Sequence, residues 1–159
     1  MSSPNEPATL LLLANVQLAI VELGTGGAVA VALRAGGAAS CVTGATAFAG
    51  APAFATALRV SEAKMAAFGT VSAMVAAEAA AALIDTYEGG WGLAVLCGGN
   101  QMTPSGVTSL AGNDAVCFIA LGTPSTTEVI SCEPERTVPS ALALLQAAAA
   151  TRLATKRPY

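Results

Sequence analysis

Histidine does not occur anywhere in the 159-residue sequence. That absence removes Ser-His-Asp and Cys-His catalysis and any histidine-ligated metal site. Lysine occurs only at Lys64 and Lys156, so the list of possible general bases is short. Charged residues make up 11% of the chain, less than half of the usual share of about a quarter. The formal net charge of −3 lacks the basic footprint that nucleic acid requires. The four cysteines (Cys41, Cys97, Cys117 and Cys132) show no CxxC spacing. They are therefore expected to be reduced and unpaired, buried singly in apolar strands. No metal and no cofactor are expected. No uninterrupted apolar run reaches the roughly 18 residues of a membrane span; the Ala-rich stretches are broken by Glu78 and Arg152. The start has no basic segment, and Glu6 precedes the leucine run, so no secretory leader is expected. The expected location is the cytoplasm.

Hydrophobic residues are 54% of the chain, much of it alanine, and aromatics only 4%. Such a core packs backbones closely rather than interlocking bulky rings. The length predicts a single domain over 1–159, with the polar ends 1–6 and 156–159 frayed. So few charges on so apolar a chain predict burial against copies of itself, most simply as a homodimer.

The chain is organised around Glu22-Leu23-Gly24-Thr25-Gly26-Gly27. An apolar run from Val16 to Leu23 leads in, and an Ala/Val-rich run from Ala28 to Leu33 leads out, which reads as strand, glycine turn and helix. Glycines permit close approach of a ligand, and the helix start offers N–H groups to an anion. The same pattern also describes a plain strand-to-helix turn. Pro7 to Asn15 reads as a short helix or an extra strand, and Ser40 to Phe48 as a second strand. Helical segments follow, with Ser61 and Ser72 as caps. Trp91 to Cys97 is a strand suited to burial on both faces. Gly98 to Gly112 reads as a long loop, a frequent place for function. Asp114 to Leu121 and Thr126 to Cys132 read as an antiparallel pair, and Val138 to Thr155 as the last helix. Alternating strands and helices make the class α/β. The expected architecture is a three-layer α/β/α sandwich with a mixed, mostly parallel sheet.

The order of these pieces resembles the CinA C-terminal domain family, whose best-known activity is nicotinamide-nucleotide (NMN) amidohydrolysis. The resemblance rests on Glu22…Thr25-Gly26-Gly27, Gly37-Ala38-Ala39-Ser40, Leu58-Arg59-Val60, Gly69-Thr70-Val71-Ser72, Leu93-Ala94-Val95…Gly98-Gly99 and Ala115 to Ala120. It covers about residues 16–153. The resemblance implies a Ser/Lys arrangement in which a lysine activates a hydroxyl. The reactive residues depart from it. The family's serine after the glutamate is Leu23, its tyrosine falls on Phe48, its lysine near Ala53, and the hydroxyl before its second glycine pair on Gly98.

Three readings of function follow. One is a catalytically impaired relative that keeps an anion or nucleotide pocket, with Thr25, Gly26, Gly27, Gly98 and Gly99 presenting donors to a small phosphorylated nucleotide. Another is a self-associating scaffold without a ligand. The third is an active amidohydrolase with a rearranged site, for which Thr25 or Ser40 would be the nucleophile and Lys64 the base. Lys64 follows the Val60 anchor instead of preceding it, so it reads first as a solvated helix lysine.

Overall fold

The computed structural model of the protein describes residues 5–48, 54, 57–58, 60–69, 71–86, 90–97, 100–103, 106–109 and 116–156. Helix α1 (Asn5–Leu13) leads into strand β1 (Leu18–Leu23), helix α2 (Ala28–Ala35) and strand β2 (Val42–Phe48). Helices α3 (Glu62–Phe68) and α4 (Ala73–Thr86) precede β3 (Trp91–Cys97), and a hairpin of β4 (Asn100–Thr103) and β5 (Gly106–Ser109) follows. Strands β6 (Cys117–Gly122) and β7 (Thr127–Cys132) lead to the last helix, α5 (Thr137–Lys156).

The main sheet has the order β2-β1-β3-β6-β7. β1 pairs parallel with β2 and β3, whereas β6 runs antiparallel to β3 and β7 antiparallel to β6. The sheet is thus mixed, with four strands pointing one way and β6 against them. β1 and β3 are buried at nearly every position, as their continuous apolar runs require of central strands. Alternate residues serve opposite layers. Leu18, Ile20, Leu93 and Val95 pack towards α1, α2 and α5. Ala19, Val21, Ala94 and Leu96 pack with α3 and α4 on the other side. This is the expected three-layer sandwich.

Local signals account for much of this. Ser61 Oγ accepts the backbone N–H of Lys64 at 3.3 Å, and Ser72 Oγ that of Val75 at 3.3 Å, so both predicted caps are in place. Helix α4 lies so close to β3 that a Cβ on Gly92 would meet the backbone oxygen of Ala80, and Leu83 Cβ at 3.0 Å. Small residues set that spacing, as the composition implied. Within Pro7 to Asn15, residues 7–13 are helical, and the helix begins at Asn5, inside the end expected to be frayed. Among the described residues no helix is long and apolar enough to cross a membrane.

Two expectations are corrected. The stretch from Gly98 to Gly112 is not simply a loop, because Asn100–Thr103 and Gly106–Ser109 pair antiparallel. The cysteines are not all unpaired either: Cys97 and Cys117 form a disulfide, while Cys41 and Cys132 remain free. The physical reason is register. Cys97 on β3 stands directly opposite Cys117 on β6, with Cα atoms 4.2 Å apart, the spacing of a close, non-hydrogen-bonded pair. A sequence separation of 20 conceals that pairing until strand order is known.

Candidate functional site

The candidate site lies at the carboxyl end of β1, the edge at which open α/β sheets commonly bind ligands. Gly24, Gly26 and Gly27 have φ of 83°, 65° and 84°, which L side chains rarely adopt. At Gly24 a Cβ would also stand 2.5 Å from the backbone oxygen of Cys97. The glycine turn is therefore fixed by backbone conformation and by the neighbouring β3 end.

Glu22 organises this turn. It is the one charged residue in β1 and is only 1% exposed. Its Oε1 accepts the Thr25 hydroxyl at 2.7 Å and the Val29 N–H at 2.9 Å. Its Oε2 accepts the Ala30 N–H at 3.1 Å. The carboxylate thus sits at the positive end of α2 and satisfies donors that a helix start leaves unpaired. This corrects the expectation that the start of α2 stands open to an anion: the N–H groups of Val29 and Ala30 are filled from within the chain. The N–H groups of Gly26 and Gly27, one turn earlier, have no partner among the described residues.

The three candidate reactive residues are not brought together. Thr25 follows the carboxyl end of β1. Ser40 lies in the short 3-10 turn Ala39–Cys41 that precedes β2. Because β1 and β2 are parallel, Ser40 is at the opposite edge of the sheet, about 20 Å away along a strand of this length. Lys64 is on α3, in the other layer, and its Nζ meets Glu78 Oε2 of α4 at 3.0 Å. That contact is an ion pair without the angle of a hydrogen bond. Glu78 Oε1 also accepts the Ser61 N–H at 3.0 Å, so the carboxylate ties α4 to the start of α3. Gly98, Gly99 and Ala53 lie outside the described residues.

The positions at which the resemblance expects hydroxyls are apolar. Leu23 is 4% exposed, packed in the α3/α4 layer. Phe48 meets Phe54 edge-on, with centroids 6.1 Å apart at 79°. Sequence reasoning singled out Glu22 only as part of a turn. The signal that could have shown its structural role is an acid inside an otherwise apolar strand, directly before a glycine turn and helix. Among the described residues no cluster of histidine, cysteine, aspartate or glutamate could hold a metal ion.

No protein-family model matches the chain, and no curated protein sequence matches it. Solved structures do. A competence or damage-inducible protein from Enterobacter asburiae superposes with a TM-score of 0.75 at 19% identity, over 96% of this chain and 99% of that one. A competence-damaged protein (CinA) superfamily protein from Enterobacter cloacae gives 0.75 at 21%, over 96% and 94%. The competence/damage inducible protein CihA from Agrobacterium tumefaciens gives 0.68 at 18%, over 99% and 98%. Along nearly its whole length, the chain has the fold of the CinA-type competence/damage-inducible proteins.

Proposed function

We propose that this protein is a catalytically impaired counterpart of the NMN amidohydrolases, keeping a small-ligand pocket at the carboxyl edge of the sheet. One observation carries the reading. Glu22, the acid of the shared Glu…Thr-Gly-Gly motif, is bound on both oxygens by Thr25, Val29 and Ala30 of its own turn. It anchors a turn; it does not work as a base. Among the described residues, the N–H groups of Gly26 and Gly27 remain as donors for a ligand. A phosphorylated pyridine nucleotide would be held there by its phosphate, close to a buried carboxylate that weakens the contact.

Thermal unfolding with added nicotinamide mononucleotide tests this. A saturable rise in Tm is expected, equivalent to about 2.7 kcal/mol when ligand reaches a hundred times its Kd. No rise up to millimolar ligand would remove the pocket and leave the scaffold reading.

Self-association in the cytoplasm is compatible with either reading. Three of the large exposed hydrophobics, Leu12, Leu13 and Val31, lie on α1 and α2, with Leu13 66% and Val31 63% exposed. We expect a homodimer closed through this layer. Light scattering should give twice the chain mass, and Leu13→Glu with Val31→Glu should return it to a monomer. A monomeric wild type at micromolar concentration would exclude the dimer.

A further inference from the structure

Three cysteines stand in one row across the sheet. Cys97 of β3 is the register partner of Cys117 of β6, and Cys117 is the register partner of Cys132 of β7. Directly opposite residues point to the same face, and Cys97 and Cys132 both pack against the layer that holds α5. Cys97 and Cys117 are bonded; Cys132 is a free, half-buried thiol. Because hydrogen-bonded and close pairs alternate along antiparallel strands, the close Cys97–Cys117 pair turns the backbone groups of Cys117 towards β7. Cys117 and Cys132 then form a hydrogen-bonded pair, with Cα atoms about 5.5 Å apart, inside the range of about 4.4–6.8 Å that a disulfide spans.

We propose that Cys132 exchanges with the Cys97–Cys117 disulfide, moving the bond one strand outward and releasing Cys97 as a thiolate at the carboxyl edge of the sheet. Cys132 loses its proton to solvent, and its thiolate attacks Sγ of Cys117. The Cys117–Cys132 bond forms, the Cys97–Cys117 bond breaks, and the electron pair leaves on Cys97. One disulfide and one thiolate stand on each side, so no external oxidant or reductant is consumed.

The surroundings of Cys97 favour it as the leaving group. Its Sγ lies 3.3 Å from the hydroxyl of Thr137, a buried residue at the first position of the 20-residue α5. That hydroxyl donates to the Pro134 carbonyl at 2.7 Å and can turn to a thiolate once one forms. The helix start adds its positive end. The released thiol lies next to Gly24, whose Cβ position the Cys97 carbonyl blocks. Exchange thus uncovers a nucleophilic sulfur beside the glycine turn. The inference does not depend on that turn binding a nucleotide.

The experiment is time-resolved alkylation of protein kept free of reductant. Samples are treated with N-ethylmaleimide, acidified, digested with pepsin and mapped by mass spectrometry. Label is expected on Cys97 as well as Cys132, with both Cys97–Cys117 and Cys117–Cys132 linked peptides present. Cys41 is the slow internal reference, because burial pushes its thiol up. In Cys132→Ser the label on Cys97 should vanish. Cys97→Ser should carry a Cys117–Cys132 bond in a natively melting protein, which shows that the fold accepts it. Label on Cys132 alone, with Cys97–Cys117 the sole linked peptide, would overturn the proposal. So would free Cys117 and Cys132 in Cys97→Ser, four free thiols in the wild type, or a Cys97 labelling rate proportional to protein concentration.

Discussion

Purified protein should release ammonia from nicotinamide mononucleotide at least about a thousandfold more slowly than an intact amidohydrolase of this fold. Amide hydrolysis needs a nucleophile, a base to take its proton and donors for the oxyanion. The glycine turn supplies donors at Gly26 and Gly27. Leu23 has nothing to ionise, and Phe48 keeps a ring without a hydroxyl. Thr25 has a hydroxyl, but it donates to Glu22 at 2.7 Å, and each Glu22 oxygen already accepts a backbone N–H of α2. Lys64 is engaged by Glu78 in the opposite layer, and there is no histidine to substitute. Catalytic groups act as a unit, so loss of one removes most of the rate and further losses add little. Turnover of about one per second, ordinary for an enzyme, would defeat this reading. Thr25→Val and Lys64→Ala would then be the first variants to make.

Glu22→Ala is the second large effect, and it concerns stability. The substitution leaves the buried N–H groups of Val29 and Ala30 without an acceptor, at about 1–3 kcal/mol each, and opens a space in a filled layer. Removing a desolvated carboxylate returns part of this, since a lone buried charge is itself costly. Three donors on one carboxylate outweigh that return, and a net loss of about 3 kcal/mol is expected. For a chain of this size each kcal/mol is worth about 2–4 °C, so Tm should fall by about 6–12 °C. Glu22→Gln keeps the shape but offers one acceptor oxygen to two N–H groups, so about half of that loss is expected. Urea unfolding monitored by circular dichroism measures both. A Glu22→Ala variant within about 0.5 kcal/mol of wild type, the scatter of neutral substitutions, would show that the carboxylate is not what holds the turn.

What the sequence discloses follows the range of the interaction. Val16 to Leu23 and Trp91 to Cys97 read as central strands because burial on both faces leaves continuous apolar runs. Ser61 and Ser72 read as caps because capping spans three residues. The β6–β7 pair reads from the short polar break at Gly122 to Ser125. Strand order has no such local mark. Nothing near Cys97 announces that Cys117 will stand opposite it, because that needs β6 to enter the sheet against the direction of β3. The site shows the same limit. Thr25, Gly26 and Gly27 directly follow β1, whereas Lys64 lies on a helix of the other layer and the parallel β1–β2 crossover sends Ser40 to the far edge. Glu22 reads from the sequence only as part of the glycine turn. Two of its three partners, the N–H groups of Val29 and Ala30, are backbone groups, which no side-chain pattern displays.

The first and last helices are fastened together, with Arg152 Nε donating to the Ala14 carbonyl at 3.2 Å across 138 residues of chain. Leu11, fully buried in the same layer, belongs to a cluster that α5 completes with Ala141, Leu142, Leu145 and Ala149. At a synthesis rate of about 5–20 residues per second, α1 emerges from the ribosome about 7–28 s before its partner does. During that interval Leu11 stands on the nascent chain without the α5 side of its cluster, a natural target for a holding chaperone.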